Sequence, residues 1–90
     1  MRIRVGDLVK RRITEPEVFV ICLVTRNQAL VDNNTVGIEV EYLFLEGDPQ
    51  EIDRFLSHND YASEEDYIND LNKRMWMRRM RRSRIVKVLS

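Results

Sequence analysis

The chain has 90 residues, with 15 basic and 15 acidic side chains, and its formal net charge is zero. Such a length supports one domain, residues 1–90, with a modest core, and no apolar stretch approaches the length of a membrane span. A neutral total also disfavours a general nucleic-acid coat. The single cysteine, Cys22, lies in an apolar run and indicates a buried thiol in a reducing compartment.

The charge is strongly segregated along the chain. Residues 1–38 carry six basic and four acidic side chains (+2), and residues 39–70 carry one basic and eleven acidic (−10). Residues 71–90 carry eight basic side chains and no acidic one (+8). A localised basic end is a common footprint of nucleic-acid binding. The alternative is internal pairing, in which the basic end lies against the acidic middle.

Strands are predicted over the first half of the chain. Residues 2–5 alternate as a short strand would, Gly6-Asp7 indicates a turn, and Leu8 begins the next extended segment. Proline makes residues 15–17 a loop. The β-branched apolar run at residues 18–24 predicts a central strand covered on both faces, which continues through residue 31.

Residues 32–34 tolerate left-handed backbone geometry and predict a hairpin turn. Residues 35–45 then return as the partner strand. On that strand we expect one shared face for four apolar side chains, namely Ile38, Val40, Tyr42 and Phe44.

Two helices and a last strand are predicted in the second half. Asp48, Pro49 and Glu51 form a helix opening with a capping box, and the helix runs to about residue 57. Ser63 is the N-cap of the longest predicted helix, residues 63–84. Residues 84–89 are apolar and β-branched enough to close the sheet by pairing with an early strand.

The apolar stripe of this longest helix changes sides near Lys73. One arc of the helix comprises Tyr67, Ile68, Leu71 and Met75, and roughly the opposite arc comprises Trp76, Met77 and Met80. Three explanations stay open. The helix breaks near Asn72, or its second half leaves the core and offers Trp76 to a partner, or the second half is covered on both faces.

The opening Gly6-Asp7-Leu8-Val9-Lys10, the strongly apolar strands and the short closing strand resemble the small SH3-like barrels of bacteriophage genomes. The resemblance implies an α+β fold, a small bent β-barrel of about five strands. A two-helix insertion, residues 48–83, precedes its last strand. The resemblance further implies a viral binding scaffold in the cytoplasm of a bacterial host, with no catalytic residues.

No pattern in the sequence predicts an enzyme, a metal site or a cofactor. His58 is the only histidine and lies 36 positions from Cys22, which matches no zinc spacing. The calcium-loop pattern and a glycine-rich phosphate loop are missing from the sequence.

The first functional hypothesis is nucleic-acid binding, to RNA or DNA, through the arginine-rich helix. Arginine forks suit phosphates, and an aromatic ring beside them can stack on a base. The arginines proposed to contact phosphates are Arg74, Arg78, Arg79, Arg81 and Arg82, with Trp76 as the stacking residue. We expect Arg78→Ala with Arg82→Ala to weaken binding without unfolding the domain. A secondary basic patch, of a kind more often a solvated edge than a site, comprises Lys10, Arg11 and Arg12.

The second hypothesis is a protein interface anchored by Trp76, Met77 and Met80, which are residue types enriched at interface centres. The partner would be an acidic protein surface, a host enzyme or a virion component. It could also be a second copy of the chain, with residues 39–70 of one copy facing residues 73–87 of the other. Nucleic-acid binding weakens steeply with salt, whereas an apolar anchor does not.

Overall fold

The computed structural model describes residues 2–14 and 17–90 as a small α+β domain with a five-stranded antiparallel sheet and two helices. The strands are β1 (Leu8–Thr14), β2 (Val18–Asp32), β3 (Thr35–Gly47), β4 (Arg79–Met80) and β5 (Ile85–Val88). The helices are α1 (Pro49–His58) and α2 (Glu64–Lys73), followed by a single short turn, α3 (Met75–Arg78). The predicted loop at residues 15–17 falls partly on Glu15 and Pro16, which lie outside the described residues.

The long hairpin of β2 and β3 is the centre of the sheet, and it confirms the predicted strands and their turn at residues 33–34. Alternate β2 side chains such as Val20 and Cys22 lie in the main core. Ile21 points to the other face and is buried as well, so the strand is covered on both faces there. Several register shifts interrupt the hairpin, and such bulges bend and twist a strand pair.

One of these bulges overturns a predicted face of β3. Cys22 pairs with Tyr42 and Ile21 with Phe44, so Leu43 is the extra residue in the ladder. Beyond the bulge the alternation is reversed, because a one-residue slip moves every later side chain to the opposite face. Leu45 is therefore buried in the core, while Phe44, predicted to share the face of Ile38, is exposed.

The predicted strand at residues 2–5 is wrong. The Asp7 carboxylate accepts a hydrogen bond from the Arg4 backbone N–H at 2.8 Å, and the Asp7 N–H donates to the Arg4 carbonyl at 3.0 Å. Together with Gly6 at φ +93°, these bonds make a tight turn in place of an extended segment. The turn still buries Ile3 in the core.

Both predicted helix starts are confirmed. The Asp48 side chain caps α1 by accepting from the Gln50 N–H at 2.8 Å, and the Ser63 hydroxyl caps α2 by accepting from the Asp66 N–H at 3.1 Å. The expected capping-box residue Glu51 instead accepts hydrogen bonds from Arg54 within α1.

The predicted helix over residues 63–84 is too long, and the break near Asn72 is the explanation that the structure confirms. The helix α2 ends at Lys73, because Arg74 adopts an extended conformation with φ −106° and ψ 111°. The chain then makes the short α3, the strand β4 and one 3-10 turn over Arg82–Arg84 before β5. The insertion at residues 48–83 is therefore not wholly helical, since β4 lies within it.

The strand β4 pairs with β3 through Ile38–Met80 and Glu39–Arg79. Glycine at position 37 permits this approach, because a Cβ atom there would lie 2.0 Å from the Met80 carbonyl oxygen. Met80 itself is 4% exposed and belongs to the core. The sequence stripe that placed Met80 opposite the core was drawn for a helix that is not present.

The sheet has the strand order β4-β3-β2-β1-β5, and the predicted pairing of the last strand with an early one is confirmed by β5 and β1. In a flat sheet, four spacings of about 4.8 Å would separate β4 from β5 by about 19 Å. The connection from Met80 to Ile85 contains a 3-10 turn and spans less than the roughly 17 Å of five extended residues. The sheet therefore bends strongly, although it is not closed by pairing between described residues of β4 and β5.

Candidate functional site

A groove of about 390 Å³ lies beside α3 and the segment that follows it. We call it the tryptophan groove. Its lining residues come from β1, the β2 end of the hairpin and the chain around β4: Arg11, Val31, Trp76, Met77, Arg79, Met80, Arg81, Ser83 and Arg84. Four of these nine residues are arginines and none is acidic. The groove thus combines positive charge with an aromatic and a thioether surface.

Trp76 is the most exposed large apolar side chain among the described residues, at 69%. The short turn α3 places it outside, because Arg74 takes the chain away from the axis of α2. Met75 beside it is 49% exposed, Met77 is half-buried and Met80 is buried. The predicted exposed trio of Trp76, Met77 and Met80 is therefore reduced to Trp76 and a partly accessible Met77.

Two of the predicted arginines line the tryptophan groove and also pair with carboxylates. Arg79 lies 3.4 Å from Glu39, and Arg81 lies 3.1 Å from Asp32. A hydrogen bond from the Asn34 backbone, followed by the contact with Arg81, lowers the pKa of Asp32. These pairs confirm that internal pairing neutralises part of the basic end.

The other predicted arginines do not line the tryptophan groove. The Arg78 Nε–H donates to the Val40 carbonyl at 3.0 Å, and Arg82 donates to the Asn27 carbonyl. Arg74 lies 3.5 Å from Asp70 on the side of α2. Arg78 and Arg82 therefore hold the fold together, so the double variant Arg78→Ala with Arg82→Ala would test stability as well as binding.

The secondary basic patch divides between the two faces of β1. Lys10 and Arg12 flank the Phe19 ring, at 4.1 Å and 5.5 Å from its centroid, and they pair with Glu46 and Glu17. Arg11 lies on the opposite face, in line with Val9 and Ile13, because side chains alternate along a strand. Its guanidinium donates to the Tyr42 hydroxyl at 3.3 Å, and that hydroxyl donates to the Met77 carbonyl.

A second groove, of about 400 Å³, lies between α1, α2 and β1. We call it the tyrosine groove, since Tyr61 and Tyr67 line it together with Asp70, Arg74 and several apolar side chains. The Tyr61 hydroxyl donates to the Asp70 carboxylate, and this bond raises the pKa of Tyr61. Arg11, Met77 and Arg84 line both grooves, so the two grooves adjoin at these residues.

Three lining residues of the tryptophan groove were not predicted: Val31, Ser83 and Arg84. Arg84 was assigned to the end of the helix and the start of the last strand, although it belongs to the same run of arginines. Val31 comes from the hairpin, which a sequence pattern cannot place beside residues fifty positions later. Arg11 was predicted only as part of the secondary basic patch. It lies two positions from both Val9 and Ile13, and this spacing in a strand indicates that it shares their inward face.

Within the described residues, no group of three or more His, Cys, Asp or Glu side chains is placed to hold a metal ion. Burial raises the pKa of the Cys22 thiol to about 12, so the thiolate that reacts and binds metals is strongly disfavoured. No helix in the described part of the chain is long and apolar enough to cross a membrane. The sequence matches no protein-family model and no curated protein, and the fold matches no solved structure.

Proposed function

We propose that the protein is a non-catalytic binding module that holds a single-stranded nucleic acid in the tryptophan groove. One observation carries the proposal: a highly exposed tryptophan lies in a groove whose lining includes four arginines and no carboxylate. Phosphates of a strand would contact Arg81 and Arg84 at the surface, and a base would stack on Trp76. Arg79, half-buried against Glu39, would contribute less.

The bent sheet and the closing pair of β1 and β5 also support membership of the small SH3-like barrels of phage type. The short connection at residues 81–84 supports it further, because it brings the two sheet edges towards each other. The module would then act in the cytoplasm of a bacterial host. Nuclear Overhauser contacts between β4 and β5 are expected in solution, and their absence would contradict the barrel.

The test is binding of nuclease-treated protein to labelled single strands over a salt series. We expect affinity to fall steeply with salt, by about 0.7 units of log K per log unit of salt for each phosphate contacted. Trp76→Ala should weaken binding by about 1–3 kcal/mol, because a stacked base contributes that much. Arg81→Ala with Arg84→Ala should lower the salt dependence of binding. This pair is used in place of Arg78→Ala with Arg82→Ala, because Arg78 and Arg82 bond to the Val40 and Asn27 carbonyls and their loss would also affect stability.

Met75→Ala is the matched control for Trp76→Ala, since Met75 is the exposed neighbour that does not line the groove. Its affinity should equal that of the native protein. Absence of binding at low salt, in a protein shown to be folded by circular dichroism, would end the nucleic-acid proposal.

The adjacent exposure of Met75 and Trp76 favours a second candidate, an interface with another protein or with a second copy of the chain. Such an interface would bury apolar surface, and its affinity would change little with salt. Mass measurement across a concentration series tests the homodimer directly. A dimer that persists at high salt and is lost in Trp76→Ala would support this candidate against the first.

A further inference from the structure

Among the arginines that line the two grooves, Arg11 alone is half-buried without a carboxylate partner in the described part of the chain. It is half-buried on the core side of β1, and its one hydrogen bond within the described part of the chain is to the neutral Tyr42 hydroxyl. Its Nε–H is buried without an acceptor. No carboxylate among the described residues lies within ion-pair distance of its guanidinium. Most of its five N–H donors therefore have no acceptor within the described residues.

The positive charge of Arg11 is felt by its neighbours. Burial raises the pKa values of Cys22, Tyr42 and Tyr67, and the Arg11 charge opposes the rise for all three. A cation kept partly out of water without a counter-ion is costly, because both its solvation and its pairing are incomplete. An anion at this place would supply the missing partner.

The position of Arg11 also gives such an anion a route. The tryptophan groove and the tyrosine groove share Arg11, Met77 and Arg84, so Arg11 lies where the two grooves meet. Arg79 and Arg81 already have carboxylate partners, and a ligand would have to compete with Glu39 and Asp32 for them. Arg11 and Arg84 have no such competitor among the described residues, and of these two only Arg11 is half-buried.

We propose that Arg11 is the principal phosphate-binding residue of the protein, holding one phosphodiester of a bound single strand where the two grooves adjoin. The inference rests on the proposed function. It assigns the strongest phosphate contact to Arg11 of β1 instead of to an arginine in the arginine-rich segment after α2. The flat fork of the guanidinium suits two phosphate oxygens, which a lysine ammonium cannot match.

The experiment compares native protein, Arg11→Gln and Arg26→Gln for binding to an oligothymidylate of about 12 nucleotides over a salt series. Fluorescence of Trp76, the only tryptophan, provides the signal. Arg26 is an exposed arginine of β2 that lines neither groove, so its variant removes the same charge elsewhere. We expect Arg11→Gln to weaken binding about tenfold or more and to reduce the salt slope by about 0.7. Arg26→Gln should leave the slope unchanged.

Arg11→Lys is the second variant, used if Arg11→Gln does not fold. It keeps the charge, so the salt slope should persist while the affinity falls several-fold with the loss of the fork. Native affinity in Arg11→Lys, or equal behaviour of folded Arg11→Gln and Arg26→Gln, would overturn the role of Arg11 and leave the nucleic-acid function standing. A native protein that binds no strand overturns both proposals.

Discussion

Tyr67 shows how one residue couples packing to protonation. Its ring makes edge-to-face contacts with Phe55 and Tyr61, with centroids 5.1 and 5.0 Å apart. Burial raises the pKa of Tyr67 from 10.0 to about 12, against the opposing charge of Arg11. The folded protein therefore stabilises the neutral phenol of Tyr67 relative to the tyrosinate.

Stability should consequently fall at alkaline pH. Between pH 10 and 12 the unfolded chain has lost the Tyr67 proton while the folded protein keeps it, so ionisation favours unfolding. The stabilisation that the neutral Tyr67 phenol gives to the folded protein is fully present below pH 10 and amounts to at most about 3 kcal/mol. Tyr67→Phe should be close to native in stability at neutral pH and should lose less on going to pH 11. Urea unfolding at both pH values measures this, and parallel losses in the two proteins would contradict it.

Among the secondary-structure elements, the chain after β3 supplies the outer edge of β3 with the hydrogen-bond partners that a longer edge strand would provide. The strand β4 pairs with β3 only at Ile38 and Glu39. Further along β3, the Asn72 side-chain amide accepts from the Tyr42 N–H at 2.8 Å and donates to the Tyr42 carbonyl at 2.9 Å. Arg78 and Glu64 bond to two more backbone groups of the same strand. Side chains from α2 and α3 thus satisfy an edge that two residues of β4 cannot cover.

Replacing Asn72 tests this interpretation. Asn72→Ala leaves both backbone groups of the buried Tyr42 without these partners and should lower the free energy of unfolding by about 1–3 kcal/mol. Asn69→Ala, on an exposed position of the same helix, is the matched control and should change stability little. Chemical denaturation of both variants provides the measurement, and equal stabilities would show that the Asn72 bonds are dispensable.

Elements whose signals are local were predicted from the sequence. The Asn33-Asn34 turn, the apolar run of β2 and the caps Asp48 and Ser63 act over a few residues, so the hairpin and both helix starts follow from them. The closing strand was also predicted, from its apolar β-branched composition.

Features that depend on distant contacts were not predicted. The run after Lys73 has strong helix formers, but the chain leaves the helix there, and Arg78 then bonds to the Val40 carbonyl, a contact that no local pattern predicts. The bulge at Leu43 has no local signal. For the site, the sequence pattern placed the candidate arginines on one helix. The structure distributes them among carboxylates, carbonyls and two grooves.

In the whole molecule, the two basic segments of the chain lie against its other parts. The β1 strand pairs with β5, where Val9 lies opposite Val88 and Arg11 opposite Ile85. The acidic middle of the chain supplies partners for Lys10, Arg74 and Arg79. The segregated charges of the sequence therefore meet within one molecule, although exposed basic side chains such as Arg26 and Lys87 lie outside both grooves.

The pairing of β1 with β5 sets an order of events in folding. Closing the turn between β2 and β3 involves few residues, whereas joining β1 to β5 encloses nearly the whole chain and costs more loop entropy. We expect folding in milliseconds to seconds with the hairpin formed in the transition state. Val40→Ala should then slow folding, while Ile85→Val should mainly speed unfolding. Stopped-flow chevrons measure both, and slower folding in Ile85→Val would reverse the order.

The tryptophan groove takes its lining from residue 11, from residue 31 and from residues 76–84. These segments meet only when β1 and the chain after α2 have both packed against the hairpin, so a partly folded chain possesses the arginines but not the groove. A ligand that needs the assembled groove would therefore favour the native state and draw the folding equilibrium towards it. Binding then acts as a check that the chain has folded to completion.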